Sequence, residues 1–138
     1  MTALELLTRA RDADRQASEL WERVERARAR LEGGRRASVT GMPRGGARDW
    51  TEDADSLIEL ERRIARRVRG LMALKRRAAA VIMTVRDPRQ REVLERYYLD
   101  GMRWSEVGAR MGLTARHAKR LRWTALRHVR MNGEDTKA

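Results

Sequence analysis

The last third of the chain, from Asp87 to Val129, has the pattern of short helices joined by tight turns. Pro88 suits the first turn of a helix, and Gly101 is a stop signal after it. A second helix can begin at Ser105, which is a good N-cap residue, and end at Gly112. The sequence therefore predicts an all-α domain in this part of the chain.

A third helix, predicted over 114–130 with Thr114 as its cap, has two chemically different faces. Apolar residues recur at helical spacing on one side: Ala118, Leu121, Ala125 and Val129. The opposite side carries Arg116, Arg120, Trp123, Arg127 and Arg130, and no acid occurs from Met111 to Val129. A short helix, a Gly turn and a basic helix are the parts of a helix-turn-helix, which places its second helix in the DNA major groove.

Several stretches of this segment resemble region 4 of sigma-70 factors. They are Val93-Leu94, Tyr97 to Gly101, Trp104 to Gly108, Met111 to Thr114, Arg116-His117-Ala118, Leu121 and Ala125-Leu126. Over residues 4–130 the chain is also similar to a family of small phage and prophage proteins with a helical N-terminal half. The resemblance implies a prophage-encoded regulator of late transcription, and not a complete sigma factor, because nothing resembles the region that melts promoters. Gly108 stands where such motifs usually carry Ala, at a cost of up to about 1 kcal/mol in helix propensity.

The usual docking of this motif assigns roles to the basic residues, because the start of the recognition helix meets the bases. The predicted base contacts are Ala115, Arg116, His117, Lys119 and Arg120. The predicted phosphate contacts are Arg110, Thr114, Arg122 and Arg127. We expect Trp104 to pack on the first of the three helices through Leu94 or Tyr98, and Trp123 to face the long helices or a protein partner.

The first part of the chain has a seven-residue repeat of apolar residues. One position of the repeat holds Ala3, Ala10, Ala17, Val24 and Leu31, and the other holds Leu6, Ala13, Leu20 and Ala27. This spacing is typical of a coiled-coil seam and predicts a helix over about 3–31. Five glycines and a proline then predict a linker loop over 33–50.

A second long helix is predicted over 52–85, after an acidic first turn. Its apolar stripe includes Leu57, Ile64 and Leu71, and another side carries Arg62, Arg66, Arg69 and Arg76. We interpret it as a helix that packs on a partner and keeps its basic side in solvent. Whether that basic side, or the loop 33–50, touches DNA is left open at this point.

Neither long helix can bury its apolar stripe alone, so the sequence predicts an antiparallel helical hairpin with further burial against a second copy. Predicted oligomer contacts are Leu6, Leu20, Val24, Leu31, Leu57, Ile64 and Leu71. The predicted organisation is a hairpin over 1–86, a helix-turn-helix domain over 87–131 and a polar tail over 132–138. A symmetric dimer would present two helix-turn-helix units to half-sites one helical turn apart.

Composition narrows the class of function. A net charge of +12 favours an anionic partner and a salt-dependent affinity. The absence of cysteine fits a cytoplasmic protein, and no apolar run is long enough for a membrane span. His117 and His128 are the only histidines, and no phosphate-binding glycine loop or nucleophile-base pair is present, so we expect no enzyme and no cofactor or metal.

The sequence thus predicts a double-stranded DNA-binding transcription regulator that forms a homodimer or larger homo-oligomer. Two alternatives remain. A phage packaging subunit of the small-terminase kind would share the basic domain but form a closed ring. An adaptor for RNA polymerase would bind DNA only secondarily, and in that case Trp123 or the hairpin would matter more than Arg116 and Arg120.

Overall fold

The computed structural model describes the backbone of residues 1–39 and 47–131, and the side chains of 1–36 and 50–131. The predicted all-α fold is confirmed. Its helices are α1 (Ala3–Val39), α2 (Ala47–Ile82), α3 (Pro88–Leu94), α4 (Trp104–Met111) and α5 (Ala115–Leu126), and a π-helical turn, Glu95–Leu99, continues α3.

Both long helices extend into the segment that the sequence predicts as a loop. α1 runs to Val39 and not to about residue 31, and α2 begins at Ala47 and ends at Ile82. The predicted loop over 33–50 is therefore wrong at both ends, and its middle, 40–46, lies outside the described residues, as does the predicted tail 132–138. Gly33 and Gly34 cost helix propensity, but the Glu, Arg and Ala residues around them are good helix formers and continue the helix.

The predicted packing of the two long helices against each other is confirmed. Asp14 of α1 lies beside Lys75 of α2, with 2.5 Å between Oδ2 and Nζ. Arg28 of α1 lies beside Glu61 of α2 at 3.2 Å. Both pairs are partly exposed to solvent, and such pairs typically add no more than about 1 kcal/mol each.

The chain divides into two compact units, Met1–Asp14 with Leu71–Ala138, and Arg15–Gly70. In the second of these, Ala17, Val24 and Ile64 are buried. All buried residues of α1 except Leu7 occupy the predicted heptad positions. Coiled-coil geometry as such stays a prediction.

The predicted oligomer contacts are partly covered by the chain itself. Leu6, Val24, Ile64 and Leu71 are buried, while Leu20, Leu31 and Leu57 are half-buried. Four of the seven side chains therefore already have intramolecular packing. Contact with a second copy of the chain stays a prediction.

The apolar core of the first unit draws on all of its helices. Its members include Leu6, Leu7 and Ala10 of α1, Ala78 and Ile82 of α2, Val93 and Leu94 of α3, Tyr98, Val107 of α4, and Ala118 and Ala125 of α5. The predicted boundary between residues 86 and 87 does not coincide with this division. The short helices share one core with the start of α1 and the end of α2.

Arg11 of α1 joins that helix to the turn that precedes α4. Its Nη1 donates hydrogen bonds to the carbonyl oxygens of Tyr97, at 2.5 Å, and Met102, at 2.9 Å. Its guanidinium carbon also lies 3.8 Å from the centre of the Tyr97 ring. Hydrogen bonds from an ionised donor are roughly twice as strong as neutral ones, so α1 holds this turn in place.

Candidate nucleic-acid interface

α3 begins at the predicted residue, and the π-helical turn that continues it carries the helical segment on to the predicted stop at Gly101. The Asp87 carboxylate accepts hydrogen bonds from the backbone N–H groups of Arg89, at 2.8 Å, and Gln90, at 3.3 Å, and Pro88 occupies the first helical position. At the other end Gly101 adopts φ 69°, a left-handed conformation that glycine adopts without strain. The π-helical turn before Gly101 has no signature in the apolar spacing, so the sequence does not predict it.

α4 begins earlier than predicted. Its N-cap is Arg103, so Ser105 lies inside the helix and the predicted cap at Ser105 is wrong. The Glu106 carboxylate accepts a hydrogen bond from the backbone N–H of Arg103 at 3.4 Å, which is the Glu half of a capping box. The predicted end of the helix is confirmed, since Gly112 follows Met111 with φ 68°.

Trp104 packs against the core that contains the predicted Leu94 and Tyr98, and it also stacks on Tyr97 of the π-helical turn. Its ring stacks on Tyr97, with ring centres 3.9 Å apart and planes 11° apart, and Tyr97 meets Tyr98 edge to face at 4.9 Å. A π-helical turn contains more residues per turn than an α-helix, so α-helical spacing misassigns the faces of the residues within it. Helical spacing alone therefore does not reveal the stacking of Trp104 on Tyr97.

Tyr98 lies almost fully buried in the core. Burial raises the pKa of its hydroxyl above the ordinary value of 10.0, and the nearby Arg122 guanidinium opposes the rise. The phenol is therefore neutral around pH 7.

Gly108 allows the turn of the motif to approach α4 closely. A Cβ at this position would lie 2.6 Å from the carbonyl oxygen of Leu113 and 3.0 Å from the carbonyl carbon of Thr114. The sequence-based interpretation of Gly108 as a propensity cost therefore needs correction, because a larger residue would displace backbone. The glycine positions the turn from which α5 begins.

We expect Gly108→Ala to lower the free energy of unfolding by about 1 to 3 kcal/mol, because overpacking a tight site costs this much. Gly70→Ala is the matched control, since a Cβ there meets nothing within 4 Å and the residue lies in helix α2. That control should raise stability by up to about 1 kcal/mol through helix propensity. Urea unfolding followed by circular dichroism measures both, and equal effects of the two substitutions would contradict the packing argument.

α5 starts at the predicted cap and buries the predicted face. Thr114 Oγ1 accepts a hydrogen bond from the backbone N–H of His117 at 3.0 Å. Ala118 and Ala125 are fully buried, and Val129 beyond the helix end is nearly so. The helix is shorter than the predicted 114–130, because it ends at Leu126.

The opposite face of α5 is exposed and basic. Arg116 and Arg120 are exposed and one helical turn apart, and Lys119 beside them is also exposed. None of these three makes an ion pair with an acid in the part of the chain that the structure describes. From Val107 to Gly133 the sequence contains no acid at all. The remaining predicted contacts that are exposed are Arg110, Thr114, Ala115, His117 and Arg127.

Arg122 has different surroundings from the other predicted phosphate contacts. Its guanidinium carbon lies 4.9 Å from the ring centre of Trp104 and 4.4 Å from that of Trp123. The side chain is half-buried, whereas Trp123 is 50% exposed. Arg122 therefore packs α5 against Trp104 of α4, a role that sequence reasoning missed because its charge resembled that of its neighbours.

Two polar contacts that the sequence did not reveal fix the segment after α5. The His128 Nδ1 lies 2.8 Å from the Gln90 Oε1 of α3. The backbone N–H of Arg130 donates to Thr84 Oγ1 at 2.8 Å. Together they tie the end of the basic segment to α3 and to the connection that follows α2.

A capped, basic and exposed helix, held by a Gly turn against a supporting helix, defines a helix-turn-helix DNA-binding domain. Residues 87–131 match the family model of sigma-70, region 4, which confirms the predicted resemblance for this segment. No curated protein and no solved structure matches the chain. The phage and prophage part of the resemblance stays a prediction.

Neither a membrane-spanning helix nor a metal-binding cluster occurs among the described residues. No helix there is long and apolar enough to cross a membrane. No group of three or more His, Cys, Asp or Glu side chains in the same residues is placed to hold a metal ion.

Proposed function

We propose that this protein is a sequence-specific double-stranded DNA-binding protein of the phage or prophage type that regulates transcription. The observation that carries the proposal is the basic face of α5, which is exposed and free of acids within a segment that matches sigma-70 region 4. A helix with one buried and one basic face fits a major groove, where it can meet base edges and phosphates together.

The role proposed for each residue in DNA binding follows from its position along α5. Arg116 and Arg120 lie in the first two turns of α5, and arginine can make two hydrogen bonds to the O6 and N7 atoms of guanine. Lys119 and His117 share this first part of the helix, and Ala115 leaves room for close approach. Arg110, Thr114 and Arg127 border the face and are proposed to contact phosphates.

The protein is further proposed to act by binding alone, without catalysis or a cofactor, and as a homodimer or larger homo-oligomer. Two copies would supply two recognition helices for two half-sites. The half-buried Leu20, Leu31 and Leu57 provide apolar surface on the hairpin for such a contact.

A second candidate function is an adaptor that engages RNA polymerase. The observation that favours it is Trp123, whose large ring is 50% exposed on α5 and is backed by Arg122. Exposed tryptophan is enriched at the energetic centres of protein interfaces. In this case Trp123→Ala would impair polymerase binding while leaving DNA affinity unchanged.

The test is binding of the purified protein to fragments of its own genomic neighbourhood at about 150 mM salt, with random DNA as competitor and light scattering for mass. Selective binding by a dimer is the expected result. Weak, unselective binding would contradict the proposal and favour the polymerase adaptor. A large closed ring would instead favour a DNA-packaging subunit.

A further inference from the structure

Charge is divided unevenly along α2. All six acids of this helix precede Arg62, and no acid occurs between Arg62 and Ile82. Within the unit Arg15–Gly70, five arginines follow the last acid: Arg62, Arg63, Arg66, Arg67 and Arg69. The middle of the helix is thus strongly basic in a stretch that the helix-turn-helix does not include.

Three of these residues form one surface, which we call the arginine face: Arg62, Arg66 and Arg69. At about 100° per residue they fall within an arc of about 60°. Ile64, on the opposite side of the helix, is only 4% exposed, whereas all three arginines are exposed. The arginine face therefore points away from the packing of its own unit.

The arginine face has no acidic partner within the described residues. The nearest acid in sequence, Glu61, is paired with Arg28 of α1. None of the three arginines makes an ion pair, a hydrogen bond or a ring contact within the part of the chain that the structure describes. The charge of this surface is therefore available to an external anion.

Helix stability does not account for this arrangement. Arg62 and Arg66 are four residues apart and Arg66 and Arg69 are three apart, and like charges at these spacings repel one another. The helix dipole favours bases only in the last turn, whereas Arg69 lies 13 residues before the end of α2 at Ile82. A surface that weakens its own helix is stabilised when a polyanion binds it.

We propose that the arginine face binds the phosphate backbone of double-stranded DNA as a second contact that is independent of base sequence. This inference rests on the proposed function, which makes DNA the partner. Guanidinium groups match phosphate geometry, and several in one line suit a regularly charged polymer. A membrane surface is a poorer match, since insertion needs a free apolar side and Ile64 is already buried.

The test compares two triple variants of the full chain that change net charge equally. Arg62→Gln/Arg66→Gln/Arg69→Gln removes the arginine face. Arg23→Gln/Arg26→Gln/Arg30→Gln removes three exposed arginines of α1, where Glu22, Glu25 and Glu32 alternate with bases. Binding to a random duplex is measured by fluorescence anisotropy over a range of salt concentrations.

Each lost phosphate contact lowers the slope of log affinity against log salt by about 0.9. For the arginine-face variant, the magnitude of the slope should therefore be smaller than that of the unmodified protein by up to about 2.7. The slope of the α1 variant should be unchanged. Arg62→Lys/Arg66→Lys/Arg69→Lys keeps the charge and should retain most of the slope. Equal slopes for the arginine-face and α1 variants would overturn the proposal, whether both match the unmodified protein or both fall.

The same variants separate this inference from the proposed function. The ratio of affinities for selected and random DNA reports on base reading by α5, whereas the slope on random DNA reports on phosphate contacts. For the arginine-face variant we expect a smaller slope on random DNA and an unchanged ratio of affinities for selected and random DNA. If the unmodified protein shows no selectivity but the arginine-face variant shows the expected change in slope, the proposal of sequence-specific recognition is refuted. The proposed phosphate contact of the arginine face is then still supported.

Discussion

Arg116→Ala/Arg120→Ala is expected to lower the affinity for a selected DNA site relative to random DNA by at least about 30-fold. Each base-contacting arginine contributes about 1 to 3 kcal/mol of discrimination, and 1.4 kcal/mol corresponds to tenfold in affinity. The two residues lie one turn apart on the exposed face of α5, where no acid competes for their charge. Competition binding at fixed salt measures the effect.

The matched control for this double variant is Arg23→Ala/Arg26→Ala on α1. Both residues are exposed, and the change in net charge is the same. This control should leave the ratio of specific to random binding unchanged. If the α5 variant loses affinity equally for all sequences, Arg116 and Arg120 are phosphate contacts, and base reading must lie elsewhere.

Leu6→Ala should lower the free energy of unfolding by about 2 to 5 kcal/mol, the usual range for removing a buried leucine side chain. Leu6 is 1% exposed and belongs to the core that also contains Val93, Leu94 and Tyr98. Residues near the start of α1 therefore stabilise the DNA-binding domain itself. Urea unfolding followed by circular dichroism gives the value.

Leu4→Ala provides the comparison within the same helical turn. Leu4 is 42% exposed, and substitutions at such surface positions usually change stability by no more than about 0.5 kcal/mol. A cost for Leu6→Ala as small as that for Leu4→Ala would mean that α1 does not contribute to the core. The helix-turn-helix would then fold on residues 87–131 alone.

Several start and end points of the short helices could be predicted from sequence because each depends on a single residue. Pro88, Gly101, Gly112 and Thr114 each act through their own backbone or side chain, and each has the predicted role. The two faces of α5 follow from helical period alone. The fold class and the exposed basic residues of the site were predictable for the same reason.

The remaining features depend on contacts between distant parts of the chain. Arg11 binds carbonyl groups more than eighty residues away, and Gly108 is needed only because the turn lies against it. The π-helical turn shifts Tyr97 onto Trp104, and Arg122 then packs on the aromatic rings. No spacing within one helix reveals these arrangements, so the division of the chain and the role of Arg122 could not be predicted.

The most direct measurement is dimethyl sulfate protection on a DNA site selected by the protein. The reagent methylates guanine N7 in the major groove and adenine N3 in the minor groove, so it reports which groove α5 enters. We predict protection of guanine N7 within the site, lost at one or two guanines in Arg120→Ala. Protection confined to adenine N3, or none in a bound complex, would contradict recognition of the major groove by α5.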